Sequence, residues 1–212
     1  MKKLFVSLLS MLLALPACAM NISRKMEDST VLIKMKGYRI EDKKTGWGNC
    51  SGVYIKKNII LSAAHCVEPP EGIVLKEIWI KKGEVSEKAK VIKIDPAADL
   101  LLLYTPLKGI PVKFAHKVTR GEDCWVIGNP LDIIDVLTHG IVSKIGFKVK
   151  GEKAIFIIVD CVALPGNSGG AVVDHRGHLI GILTRSTSAM GPLGASGLGM
   201  AVDLKTIREF LK

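Results

Sequence analysis

Short apolar runs separated by turn residues recur along the whole chain. Residues 31–35 and 50–55 alternate or run apolar, and Lys56-Lys57-Asn58 turns the chain into the buried run 59–61. Residues 78–80, 90–94 and 100–104 are further strand-like segments, and 106–120 reads as a connector. A second strand-rich half follows: 123–127, a turn at Gly128-Asn129-Pro130, then 138–145, 154–162, 171–173, 179–184 and 199–202. The charged, glycine-containing stretch 41–48 is expected to be a loop, and the small, glycine-rich stretch 186–197 a mobile one. One helix is expected, at the end: Asp203 can cap it, and Leu204, Ile207, Phe210 and Leu211 share a face. Many short strands without alternating helices predict an all-β barrel or sandwich and argue against a parallel α/β sheet.

The amino terminus breaks this pattern. Lys2 and Lys3 precede an apolar run from Leu4 to Leu15, and Ala17-Cys18-Ala19 is an A-x-A cleavage signal. Residues 1–19 therefore read as a secretory signal peptide, too short to span a bilayer, with the mature chain at 20–212. Leu15-Pro16-Ala17-Cys18 also approximates a lipobox, the alternative in which the chain is a lipoprotein anchored through Cys18. Membrane contact is expected only in that case. Export, to the periplasm or the medium, places Cys50, Cys66, Cys124 and Cys161 in an oxidising space, where four cysteines allow two disulfides.

The chain has 212 residues, room for one domain of double-barrel size or two small ones, and 48% of them are hydrophobic. Losing Lys2 and Lys3 lowers the formal charge by two, from +10 to +8. Such an excess suits anionic partners, but the lysines are scattered without an interleaved aromatic platform, so no nucleic-acid partner is expected.

The candidate chemistry gathers around Leu164-Pro165-Gly166-Asn167-Ser168-Gly169-Gly170. A proline and three glycines cannot continue a strand, so this is a tight loop presenting an open serine. The N–H groups of Gly166 and Ser168 can converge on one space, which suits a nucleophile beside an oxyanion hole. Alone, such a run is only a glycine turn. Two other stretches change its meaning. His65 stands in S-A-A-H-C directly after a buried strand, a setting that His116, His139, His175 and His178 lack. Asp99 opens the fully apolar run 100–103, where a carboxylate is costly unless it is exposed or accepts hydrogen bonds. Asp95 competes with it, but its Asp-Pro context reads as a turn.

His65, Asp99 and Ser168, in that order across two β-rich halves, resemble the chymotrypsin-type (trypsin-like) serine proteases. Gly128-Asn129-Pro130, Thr138-His139-Gly140-Ile141-Val142-Ser143, Leu179-Ile180-Gly181-Ile182 and Gly199-Met200-Ala201-Val202 are similar to the bacterial Deg/HtrA branch. The likeness covers roughly residues 30–205. It implies two six-stranded antiparallel Greek-key barrels, at about 30–110 and 121–202, with a short helix at 203–212. It also implies a Cys50–Cys66 disulfide and leaves Cys124 and Cys161 as the remaining pair. The chain ends after the second barrel, so the PDZ domains typical of that branch are not expected. Asn167 stands where digestive zymogens carry an aspartate, which implies activity without zymogen cleavage.

The resemblance implies a serine endopeptidase acting on protein or peptide substrates, with His65, Asp99 and Ser168 catalytic and Gly166 and Ser168 as oxyanion donors. No cofactor and no metal are expected. The specificity pocket is expected near Val162, Thr184, Arg185, Ser186 and Gly199. Valine at 162 cannot pair with Lys or Arg, so small or medium aliphatic P1 side chains are expected, with Arg185 as a competing selector of acidic groups. The alternative is a catalytically weak or vestigial module of this fold that binds an anionic partner.

Overall fold

In a computed structural model the chain forms two seven-stranded sheets packed against each other. The structure describes residues 22–187 and 198–212. The expected signal peptide, Cys18 and most of the stretch 186–197 lie outside them.

The first sheet contains β1 (Thr30–Arg39), β2 (Thr45–Lys56), β3 (Ile59–Ser62), β4 (Ile73–Lys82), β5 (Val85–Lys88), β6 (Lys90–Asp95) and β7 (Leu100–Tyr104). Its order is β5-β4-β1-β2-β3-β7-β6, so it curls as a half-barrel whose edge strands β5 and β6 do not pair with each other. Those edges are exposed along almost their whole length. The second sheet contains β8 (Lys113–Phe114), β9 (Asp123–Gly128), β10 (Val136–Lys148), β11 (Ile155–Val159), β12 (Ala171–Asp174), β13 (His178–Ser186) and β14 (Gly199–Asp203). Pairing of β12 with both β9 and β13 closes six of its strands into a barrel, and β8 adds in parallel to β13.

The expected all-β, two-barrel class with a C-terminal helix is the observed one. The first half-barrel carries seven strands because β5 and part of β4 lie on an exposed ribbon with no continuous apolar face to betray them in sequence. The expected 41–48 loop is shorter than read. Strand pairing continues to Tyr38↔Thr45, and the turn sits at Lys43, whose φ is 57°. This hairpin projects into solvent on both faces, so it shows no apolar alternation.

One core cluster spans both sheets. Val53, Leu61, Leu100 and Leu102 of the first meet Ile127, Phe156, Met200 and Val202 of the second. Burying these side chains, at about 1.5–3 kcal/mol each, fixes how the sheets face one another. The terminal helix (Leu204–Phe210) buries Leu204, Ile207 and Phe210, and Asp203 caps it by accepting from the Thr206 N–H at 2.8 Å. Among the described residues no helix is long and apolar enough to cross a membrane.

Candidate active site

Three loops converge where the two sheets meet. The first leaves β3 as a 3₁₀ turn (Ala64–Cys66), seated by the fully buried Ala63 and Ala64. Residues this small let the backbone sink into the core, which leaves His65 on the rim. A disulfide joins Cys66 to Cys50 of β2, as the resemblance implied.

The second loop joins β6 to β7. Asp95 accepts from the Ala98 N–H through both its carbonyl and Oδ1 (3.2 and 3.1 Å), and the Asp99 N–H bonds the Pro96 carbonyl at 3.2 Å. That turn leaves Asp99 at φ 52°, a left-handed conformation that aspartate tolerates better than most residues. Asp95 is thus the turn residue its Asp-Pro context suggested, and Asp99 is the carboxylate that meets His65. Asp99 Oδ2 and Oδ1 lie 2.9 and 3.0 Å from His65 Nδ1, and Oδ1 also accepts the His65 N–H at 3.0 Å. The imidazole is 45% exposed and the carboxylate 16%, so the pair opens to solvent on the histidine side.

The third loop carries Ser168. Gly166 has φ 96° and Gly169 φ 82°, values that favour glycine. A Cβ on Gly169 would also lie 2.1 Å from the Ser51 carbonyl oxygen and from Ser62 Oγ. Three N–H groups of this loop are occupied: Asn167 to the Leu164 carbonyl, Gly169 to Leu183 and Gly170 to Asn167. Among the described residues, the N–H groups of Gly166 and Ser168 have no hydrogen-bond partner. Ser168 Oγ donates to the Thr184 carbonyl oxygen at 3.1 Å, and its hydrogen bond to His65 is not formed in this geometry.

Ser51, absent from the sequence reading, and Ser62, Asn129 and Asn167, to which it gave no such role, hold this loop in place. Ser51 Oγ donates to the Gly166 carbonyl at 2.8 Å and accepts the Asn129 N–H at 2.7 Å. The Ser51 N–H bonds the Ser168 carbonyl at 2.7 Å, and Ser62 Oγ bonds the Ser51 carbonyl at 2.7 Å. The only signal for Ser51 was its place beside Cys50. Asn167 is buried, with Nδ2 donating to the Val162 carbonyl at 3.3 Å and Oδ1 unpartnered.

The expected specificity residues are spread more widely. Val162 is 47% exposed. Thr184 is buried, and Gly199 pairs in register with Ser186 and Val159. Arg185 is bound to Glu152 through two hydrogen bonds of 3.0 and 2.7 Å and lies 5.3 Å from the Phe156 ring centroid. Its charge is already matched. With His65, Asp99, Thr184 and Glu152 it lines a cleft of about 540 Å³.

Cys124 and Cys161 do not form the leftover bridge. They are buried free thiols with sulfurs 3.8 Å apart. The hydrogen bond that the Cys124 thiol donates to Cys161, together with burial, pushes the Cys124 thiol well up, so it stays protonated. Among the described residues, the one cluster with metal-ligand atoms is Cys50, His65 and Cys66, and the disulfide removes both of its thiolates.

A family model described as a trypsin-like peptidase domain matches residues 50–182. The serine endoprotease DegS of Haemophilus influenzae is 30% identical over 169 residues, 76% of this chain and 48% of its own length. A DegP-like periplasmic serine endoprotease of Pseudomonas fluorescens is 36% identical over 140 residues, 60% of this chain and 29% of its own. The solved structure of the HtrA-type protease AlgW with a tripeptide superposes with a TM-score of 0.74 at 26% identity, covering 91% of this chain and 62% of that one. The chain thus spans half or less of the length of these curated relatives.

Proposed function

This chain belongs to the trypsin-like peptidase domain family, with relatives named as Deg/HtrA serine proteases, and we propose that it is an exported serine endopeptidase working through an acyl-enzyme. The observation that carries this reading is the His65–Asp99 pair facing a loop with Ser168 and two unpartnered N–H groups. Ser168 Oγ attacks the scissile carbonyl, and His65 Nε2 takes its proton and later gives it to the leaving amine. Asp99, bonded at Nδ1, fixes the tautomer and stabilises the imidazolium. The Gly166 and Ser168 N–H groups receive the oxyanion, each such donor being worth about a hundredfold or more in kcat.

Ser168 must first leave the Thr184 carbonyl. That is one rotation about χ1, at the cost of one hydrogen bond, about 1 kcal/mol. It is small beside the barrier lowering expected of the assembled site. The same bond favours a second reading, a module that binds its target and cleaves slowly or not at all. Comparing native protein with Ser168→Ala separates the two. Peptide hydrolysis abolished by the substitution, with binding retained, supports the peptidase. Equal residual hydrolysis in both supports the module.

Small or medium aliphatic P1 side chains are the preferred acyl-side residues. Val162 offers no charge, and Arg185 is engaged by Glu152. A P1-varied peptide library in which Arg, Lys or Glu came out best would sink this part of the reading.

A further inference from the structure

The outer face of the first sheet carries two indole rings that the core does not use. Strand register fixes which side chains share that face. Lys34 pairs with Asn49 of β2 and Trp79 of β4, and Lys36 pairs with Trp47 and Glu77, so all six point to one side. Trp79 pairs in turn with Lys88 of β5, and Lys81 with Ser86. Ile33, Met35, Ile78 and Ile80 alternate to the other side and pack in the core. Neither Trp47 nor Trp79 belongs to an apolar cluster of the fold, and Trp47 is 56% exposed. Two tryptophans left out of the core on one face are a surface feature that folding does not explain. Strand spacing sets their backbones roughly 12 Å apart, with β1 between them. A hollow of about 670 Å³ is lined by Trp47, Trp79, Lys34, Ser86 and Asp132. Asp132 comes from the second sheet's β9–β10 connection and accepts from Lys34 Nζ at 2.8 and 2.9 Å.

In sequence these lysines are scattered, but strand pairing gathers them around the rings. Lys36 Nζ lies 5.6 Å from the Trp47 centroid, and Lys88 Nζ 5.1 Å from that of Trp79. Ring faces attract ammonium groups, so both lysines are held at the face. Two carboxylates stand among them. Asp132 serves Lys34, and Glu77 serves Lys88 at 2.6 Å while accepting the Trp79 indole N–H at 3.2 Å. Lys36 and Lys81 make no ion pair among the described residues. Four ammonium groups against two carboxylates leave the face positive, and its concavity focuses that field.

Three features define the ligand chemistry. Two rings on one face suit a chain that presents flat apolar surfaces at intervals. The unpaired ammonium groups beside them favour negative charge on that chain. The carboxylate of Asp132 and the hydroxyl of Ser86, in the same hollow, accept hydrogen bonds from hydroxyl groups. Single-stranded DNA has no such hydroxyls, and its successive bases stack on neighbouring platforms, whereas these rings stand two strands apart. A ligand that reaches both rings must cross β1, where it meets Lys34 and Lys36. We propose that this face binds an acidic polysaccharide. Its sugar rings stack on Trp47 and Trp79, its carboxylates pair with Lys36 and Lys81, and its hydroxyls bond Asp132 and Ser86. This is an anchoring function separate from the chemistry at Ser168.

Calorimetric titration of protein of residues 20–212 with a polygalacturonate oligomer tests this. A neutral malto-oligosaccharide and a single-stranded oligothymidylate of similar length are the controls. Saturable binding of the polygalacturonate is expected, tighter than that of either control at the same ionic strength. Exposed charge pairs are weak and screened, so added salt should weaken the binding without abolishing it. Trp47→Ala and Trp79→Ala should each weaken it about tenfold, the loss of one anchoring ring. Lys36→Gln should weaken it about threefold, the loss of one exposed charge pair. That variant keeps both rings, so it reports on binding even if a Trp variant fails to fold, which a thermal melt reveals. Equal binding of the neutral oligosaccharide would overturn the acidic assignment, and tighter binding of oligothymidylate the glycan one. No binding of polygalacturonate, or binding untouched by these substitutions, would overturn the inference as a whole. Peptide hydrolysis by the native protein is measured separately, so either reading can fail while the other stands.

Discussion

Asp99 grips His65 at two points, accepting its backbone N–H at 3.0 Å and flanking its ring Nδ1 at 2.9 and 3.0 Å. The carboxylate therefore sets both the position and the tautomer of the ring. Asp99→Asn is expected to keep the fold and lower kcat by about ten-thousandfold, because an amide can present its N–H to Nδ1 and favour the wrong tautomer. Steady-state hydrolysis alongside a thermal melt checks it. A loss of activity matched by loss of folding would count against a catalytic role.

Ser51 is expected to act on rate through the Gly166 carbonyl. Removing its hydroxyl frees both that carbonyl and the Asn129 N–H, each of them bonded at under 3 Å. Ser51→Ala should cost about 1–3 kcal/mol of stability, the price of unmet buried polar groups. It should also lower kcat more than it raises KM, because the Gly166 N–H is no longer aimed. Unchanged kcat would remove Ser51 from the positioning of the loop.

In protein of residues 20–212, without Cys18, the cysteines are expected to titrate as two thiols when unfolded and unreduced and as none, on the same timescale, when folded. Cys50 and Cys66 are bridged, and Cys124 and Cys161 are buried. Finding no thiol after unfolding would mean that the second pair is oxidised as well.

Asp95 joins the two sheets by pairing with Lys153 at 2.6 Å, and that hydrogen bond holds its carboxyl below the ordinary range. A depressed carboxylate stabilises the fold above its unfolded pKa, and the contribution fades as pH falls through the lower, folded value. Native protein should therefore lose stability between about pH 4 and the more acidic folded pKa. Asp95→Asn should lose about 0.5–1 kcal/mol at neutral pH and show a flatter acid limb in denaturant melts from pH 7 to 3. Parallel acid limbs would show that the pair contributes nothing.

The site's chemistry was easier to read in the sequence than its supports. His65, Asp99 and Gly166 to Gly170 stand in short local contexts of small or apolar residues, and the order of those contexts carries the family resemblance. The C-terminal helix was legible because Leu204, Ile207 and Phe210 all pack inward. Ser51, Ser62 and Asn129 act across 115, 11 and 78 residues of sequence. Apart from the neighbouring Cys50, nothing local marks Ser51, whose partner lies in the other sheet. The tip of the exposed β1–β2 hairpin, residues 41–48, reads as loop in sequence because neither of its faces is buried at Thr45–Gly48. Cys124 and Cys161 were paired by elimination, which cannot tell 3.8 Å from a bond.

The central claim is that Ser168 is the activated nucleophile. Treating the folded protein with a fluorophosphonate, and locating the adduct by mass spectrometry, tests it most directly. The account predicts one adduct, on Ser168, that is lost in His65→Ala although that variant still folds. An adduct on any other residue, or none on folded native protein, would contradict it.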